Sequence, residues 1–164
     1  MKLFKSLSLY GLTLLAALGL PLTAQAAATD ADALKGVTSG KALFDINLSN
    51  INQVPLYLQV IGLTHDGLVE QGVEPEFVIA FRGASVQFIS SQGGDDATTA
   101  IKQQIAKRVT ELASKGVKFE ACAIATNLFQ VDNDSLLPEI KVVGNTFISL
   151  IGYQAQGYGT IPVM

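Results

Sequence analysis

Cysteine is nearly missing from this sequence, with one residue, Cys122, among 164. No internal disulfide can form, so the fold must rest on its apolar core. Tryptophan is absent, and His65 is the single histidine. One Cys and one His cannot supply the three or four ligands of a usual zinc site unless carboxylates complete it. Cationic clusters are lacking too: 11 Lys and Arg face 14 Asp and Glu, with no basic patch. That excludes nucleic acid, whose phosphates are gripped by such patches. No G-x-S-x-G, H-E-x-x-H or Walker pattern occurs, and no internal repeat. Gly93-Gly94-Asp95-Asp96 lacks the spacing of a phosphate loop. Asp132 and Asp134 lack the glycine and distal glutamate of an EF-hand, so they read as turn residues. Nothing here calls for a cofactor or a metal.

What is present begins with residues 1–26, which have the form of a secretory signal. Lys2 and Lys5 precede an uncharged apolar run over 7–20, followed by Pro21 and the cleavage site Ala24-Gln25-Ala26. The run is short for a bilayer span, which needs roughly 20 apolar residues. Cleavage after Ala26 leaves residues 27–164, one domain large enough to bury a core without disulfides. Losing Lys2 and Lys5 leaves nine cations against 14 acids, a net charge of −5. The expected location is periplasmic or secreted, with no membrane attachment after cleavage. In such a compartment an odd cysteine reads as a buried inert thiol, an intermolecular bridge or a reactive thiol.

Along the mature chain, residues 27–40 read as a small, polar, flexible tether to a domain over 41–164. The alternation in 42–48 predicts a first strand. A helix over 54–71 follows, with Pro55 in its first turn, Leu58, Ile61, His65 and Leu68 on one stripe, and Gly72 ending it. His65 on that stripe reads as structural rather than as a base for Cys122. Residues 76–81 predict a second strand, 86–89 a short helix and 97–114 a long one, capped by Asp95 or Asp96 and stopped by Gly116. The third strand is expected over 117–123, with a short helix continuing at 127–129. A fourth strand over 140–143, a helix from 146 to about 156 capped by Asn145, and a fifth strand over 160–163 complete the pattern. Strand and helix in alternation argue for an α/β fold with a parallel or mostly parallel sheet and helices on both faces.

In such sheets ligands bind outside the carboxyl ends of the strands. Ser49-Asn50 follows strand one, Arg82-Gly83-Ala84-Ser85 follows strand two, Cys122 lies near the end of strand three, and Asn127 lies shortly beyond. If strands two and three are neighbours, Arg82 and Cys122 share one rim, where a guanidinium and a helix start favour the thiolate. The same residues have plainer readings: Ala-Cys-Ala as core packing, Arg82 as the partner of an acid, Gly83 as a tight turn and Ser85 as a helix cap.

The stretches FDINLSN (44–50), GLVEQGVEPEFVIAFRGASV (67–86), GVKFEACAIATNL (116–128) and LLPEIKVVGNTFISLIGYQAQGYGTI (136–161) resemble the DsrE/DsrF-like family. The resemblance implies a three-layer α/β/α fold with a five-stranded parallel sheet, and homo- or hetero-oligomers, often trimers or hexamers. It further implies a sulfur carrier that holds a persulfide on a cysteine after the third strand, here Cys122, exchanging sulfur with donor and acceptor proteins. Arg82 and Gly83 match the family's F-R-G segment; by their place at the strand ends, Arg82, Gly83, Ser85 and Asn127 are the expected anion- or ligand-binding residues beside Cys122. The alternative is a non-catalytic module that binds a small anion or serves as an oligomeric platform, with a structural cysteine.

Overall fold

A strand buried on both faces must be apolar on both, and the middle strands of this chain nearly are. The computed structural model describes residues 29–164; the expected signal at 1–26 lies outside them. Five strands, β1 (Ser39–Ile46), β2 (Glu74–Phe81), β3 (Lys118–Cys122), β4 (Ile140–Val143) and β5 (Gly159–Val163), form one sheet. Their order is β4-β3-β2-β1-β5 and every neighbouring pair is parallel. The helices are α1 (Val54–Glu70), α2 (Asp96–Ser114), α3 (Ala123–Leu128) and α4 (Thr146–Ala155).

The direction of travel explains the layers. From β1 through β4 each strand is laid on the same side of its predecessor, and β5 then returns to the far side of β1. A right-handed crossover in one direction puts its helix on one face, and reversing the direction puts it on the other. Accordingly α1 and α2 cover one face, where Leu58, Ile61, Ile105, Val109 and Leu112 pack on Phe44, Ile46, Ile79 and Phe81. Ala125 of α3 joins the same core. On the other face Leu150 and Tyr153 of α4 pack on Leu43, Val78, Ala80 and Tyr158. Val78, Ile79, Ala80 and Phe81 have no exposed surface, so β2 is the centre of the fold. Each large side chain buried this way contributes about 1.5–3 kcal/mol, which removes any need for disulfides.

Local signals set most boundaries. Asp95 caps α2 by accepting from the Thr98 N–H at 2.8 Å, and Gly116 leaves it at φ +89°, a conformation suited to glycine. Asn145 caps α4 by accepting from the Phe147 N–H at 2.9 Å. Three expectations need correction. Strand β1 starts at Ser39, inside the stretch read as tether, because Ser39, Gly40 and Lys41 pair with Glu74, Pro75 and Glu76 and a Lys41–Glu76 ion pair of 2.9 Å holds the join. Residues 83–89 form a 3-10 helix that begins before Val86. Strand β3 ends at Cys122, and α3 starts at once with Ala123 rather than near Asn127. No described helix is long and apolar enough to cross a membrane.

Candidate functional site

Cys122 is the last residue of β3 and the N-cap of α3, with φ −76° and ψ 116°. It is 6 % exposed. In register it faces Val143 of β4, and the chain beyond Val143 turns into α4. The chain leaving β3 goes to α3 on one face of the sheet, while the chain leaving β4 goes to α4 on the other. Where adjacent strand ends diverge in this way a crevice opens at the carboxyl edge. Cys122 stands in that crevice, between the starts of two helices.

The electrostatics follow from that position. Burial pushes the Cys122 thiol up. The backbone N–H groups of Thr146 and Ala125, the Thr146 hydroxyl and the Ile124 N–H together more than offset it, so the thiol ionises more readily than an ordinary one. Free N–H groups at a helix start stabilise an anion through short-range donation and the helix dipole. Thr146 is buried, and its hydroxyl has no hydrogen-bond partner of ordinary geometry.

Arg82 reaches the same rim. Strands β2 and β3 are neighbours, with Phe81 paired to Ala121, so the next residues along are Arg82 and Cys122. Arg82 Nε donates to Asp45 Oδ1 at 2.7 Å and Nη2 to Oδ2 at 2.9 Å, a bidentate pair. Asp45, on β1, is 5 % exposed. The guanidinium also lies over the Phe147 ring of α4, with Cζ 5.4 Å from its centroid. Its charge is held first by the hydrogen bonds to Asp45, against some desolvation, with a smaller attraction from Cys122. Arg82 is thus clamped between an acid and an aromatic ring, beside the sulfur.

The other expected residues serve the rim differently. Gly83 has φ +57°, and a Cβ there would collide with Asn47 Oδ1, so this turn requires glycine. Ser85 is fully buried, and its hydroxyl lies 2.7 Å from the Arg82 carbonyl and 3.0 Å from that of Ile46. It ties the turn to β1. Asn127 is exposed near the far end of α3, and its side chain makes no hydrogen bond among the described residues. The structure therefore brings Arg82 and Cys122 together, makes Gly83 and Ser85 their support, and leaves Asn127 apart. His65 stacks edge-on to Phe77 at 5.7 Å, four residues before the end of β2 and roughly 13 Å along the strand from the rim.

Two residues of the niche escaped the sequence reading. Asp45 belongs to the alternating stretch over 42–48, and alternation alone does not single it out. In a sheet covered on both faces, a charged residue in a middle strand needs a partner, and that was the available signal. Thr146 is the first residue of a capped helix, and nothing local distinguishes it. Glu120, two residues before Cys122, is a third buried polar group. Tyr153 OH donates to its Oε1 at 3.1 Å, while Oε2 is buried without a partner. A surface cleft of about 280 Å³, lined by Phe88, Gln92, Lys102 and Gln130 among others, does not include Cys122.

The chain is similar to known proteins over most of its length. An uncharacterized protein of Aquifex aeolicus (strain VF5) is 27 % identical over 127 residues, 74 % of this chain. The match covers 55 % of that relative, so the chain spans about half its length. Among solved structures, a protein of unknown function from Methanobacterium thermoautotrophicum superposes with a TM-score of 0.61 at 18 % identity, over 77 % of this chain and 99 % of the other. The ychN protein of E. coli does so with a TM-score of 0.55 at 12 % identity, over 76 % and 99 %. At these identities the two structures speak for the fold, and they share it. The pattern of one family runs over residues 27–163 and takes in β1 through β5 with the whole rim: the chain belongs to the DsrE/DsrF-like family.

Proposed function

We propose that this protein is an exported sulfur carrier that holds sulfane sulfur as a persulfide on Cys122. The observation that carries the reading is the placement of the only cysteine at a strand end between two helix starts, where its anion is favoured. The thiolate of Cys122 attacks the outer sulfur of a thiol persulfide. A new S–S bond forms to Cys122, the donor's S–S bond breaks, and the donor leaves as its thiolate, with no net oxidation. Thr146, the first residues of α3 and the clamped Arg82 stabilise the anion before and after transfer. Family membership supports the chemistry, and the secretory form of residues 1–26 supports a periplasmic or secreted site of action.

Assembly belongs to the same proposal. Ile124 and Leu128 on α3, and Phe147, Ile148 and Ile151 on α4, are large apolar side chains left exposed, on the two helices that start at the niche. A second copy of the chain is the occupant we assign to this surface, in keeping with the trimers and hexamers that the family resemblance implies.

The carrier reading is tested by mass spectrometry of the native protein after exposure to glutathione persulfide. Cys122 should gain the mass of one sulfur atom, reversibly on reduction, and Cys122→Ser should gain none. An unmodified Cys122 that also resists alkylation in the folded state would sink it. One observation favours a second reading: the sulfur side chain packs into the main core. A structural cysteine in a binding or assembly module would then leave assembly intact in Cys122→Ser.

A further inference from the structure

Thr146 opens α4 and is 1 % exposed. A threonine further along a helix can return its hydroxyl to a carbonyl one turn back. The first residue has no such turn. Capping is also taken, since Asn145 accepts the Phe147 N–H. The Thr146 hydroxyl is therefore left over, buried and unpaired, a state that costs stability unless something completes it. Cys122 pairs in register with Val143, three residues before Thr146, and its sulfur is the group on which the Thr146 hydroxyl acts. A neutral thiol is a weak acceptor and an anionic sulfur a strong one.

We infer that Thr146 is a positioning residue, whose hydroxyl completes its hydrogen bond when the sulfur on Cys122 becomes an anion and so holds that anion at the start of α4. The use of this bond in sulfur transfer rests on the carrier reading; the bond itself does not. The charged and titratable groups around the sulfur are Arg82 at the end of β2, its partner Asp45 on β1, Glu120 on β3 and Tyr153 of α4 bound to it. Helix α3 contributes none. Arg82 attracts the anion. Thr146 acts without a charge of its own, so removing its hydroxyl alters the thiol while leaving every charge in place.

The test is the rate of Cys122 alkylation by iodoacetamide against pH, on the native full chain, for wild type, Thr146→Val and Thr146→Ser. Cys122 is the only thiol, so the signal has one source. In Thr146→Val the profile should move to higher pH, with alkylation roughly tenfold slower below the wild-type midpoint, the effect of losing one hydrogen bond to a charged group. At the high-pH plateau it should be slightly faster, because a more basic thiolate is the better nucleophile. Thr146→Ser should restore the wild-type profile. Three results would overturn the inference: a Thr146→Val profile that overlays wild type, a Thr146→Ser profile displaced as far as that of Thr146→Val, or faster alkylation of Thr146→Val at every pH, which marks a merely opened niche. If circular dichroism finds Thr146→Val unfolded, Thr146→Ala takes its place under the same criteria. Persulfide loading is scored separately. A displaced profile without loading removes the carrier reading and leaves the Thr146 bond; loading without displacement does the reverse.

Discussion

The side chain on which the rim depends most is Arg82. It neutralises a carboxylate that β1 carries into the sheet, and it does so with both oxygens engaged. A buried carboxylate that loses its counter-ion keeps its desolvation cost and loses its compensation. Arg82→Ala should therefore destabilise the protein by about 3 kcal/mol in chemical denaturation. Asp45→Asn, which leaves a partly exposed guanidinium, should cost clearly less. Losses below about 1 kcal/mol in both variants would mean that the pair contributes no more than a surface contact. Arg82 itself was legible in the sequence as a rim residue. Its partner was not, because 37 positions separate them and only the β1–β2 register brings them together.

At the scale of elements, the best-read boundaries are those written in short-range chemistry. The starts of α1 and α4 fall where expected, since Pro55 and Asn145 act on their own neighbours. The end of β3 was misplaced because Ala-Cys-Ala-Ile-Ala contains no breaker. Whether those residues continue a strand or begin a helix is decided by packing, here of Ala125 into the core shared with Val86 and Ile89. That single shift matters, since it turns Cys122 from the next-to-last residue of a strand into a helix N-cap. Helix α4 carries the clearest element-scale prediction. Ile148 and Ile151 are 69 % and 67 % exposed, so Ile148→Lys with Ile151→Glu should alter the fold's stability by less than about 1 kcal/mol, within the range of surface changes at two sites. Under the proposed pairing of copies through this surface, the same pair of changes should shift sedimentation velocity toward monomer. An unchanged oligomer would place the contact between copies on some other surface.

For the molecule as a whole, the two faces of the sheet differ in kind. The face under α1 and α2 is continuously apolar. The face under α4 carries Asp45, Glu120 and Glu76, each answered by Arg82, Tyr153, or Lys41 with Tyr158. The alternation of strand and helix made the layers legible, but which layer bore the charges depended on the return of β5, a long-range event. This face should be the first to fail in alkali. Burial, then the neighbouring Glu120, pushes Tyr153 up to about 12, and Tyr158 is raised as well. A phenol raised on folding contributes stability that is complete below its unfolded value near 10 and is lost as pH climbs toward the folded value. Stability in urea should therefore decline between about pH 10 and 12. Tyr153→Phe should flatten that decline, and at neutral pH it should cost about 1–3 kcal/mol by leaving Glu120 with no donor. A decline as steep as in wild type would assign the alkaline loss to other groups.

The stacking of Phe147 against Arg82 has a practical consequence. The sequence has no tryptophan, so the native protein is silent in the indole emission band. Phe147→Trp would keep a flat aromatic face toward the guanidinium and place one fluorophore at the mouth of the niche. With no background to subtract, its emission becomes an optical gauge of that corner, read continuously as the surroundings of the niche change.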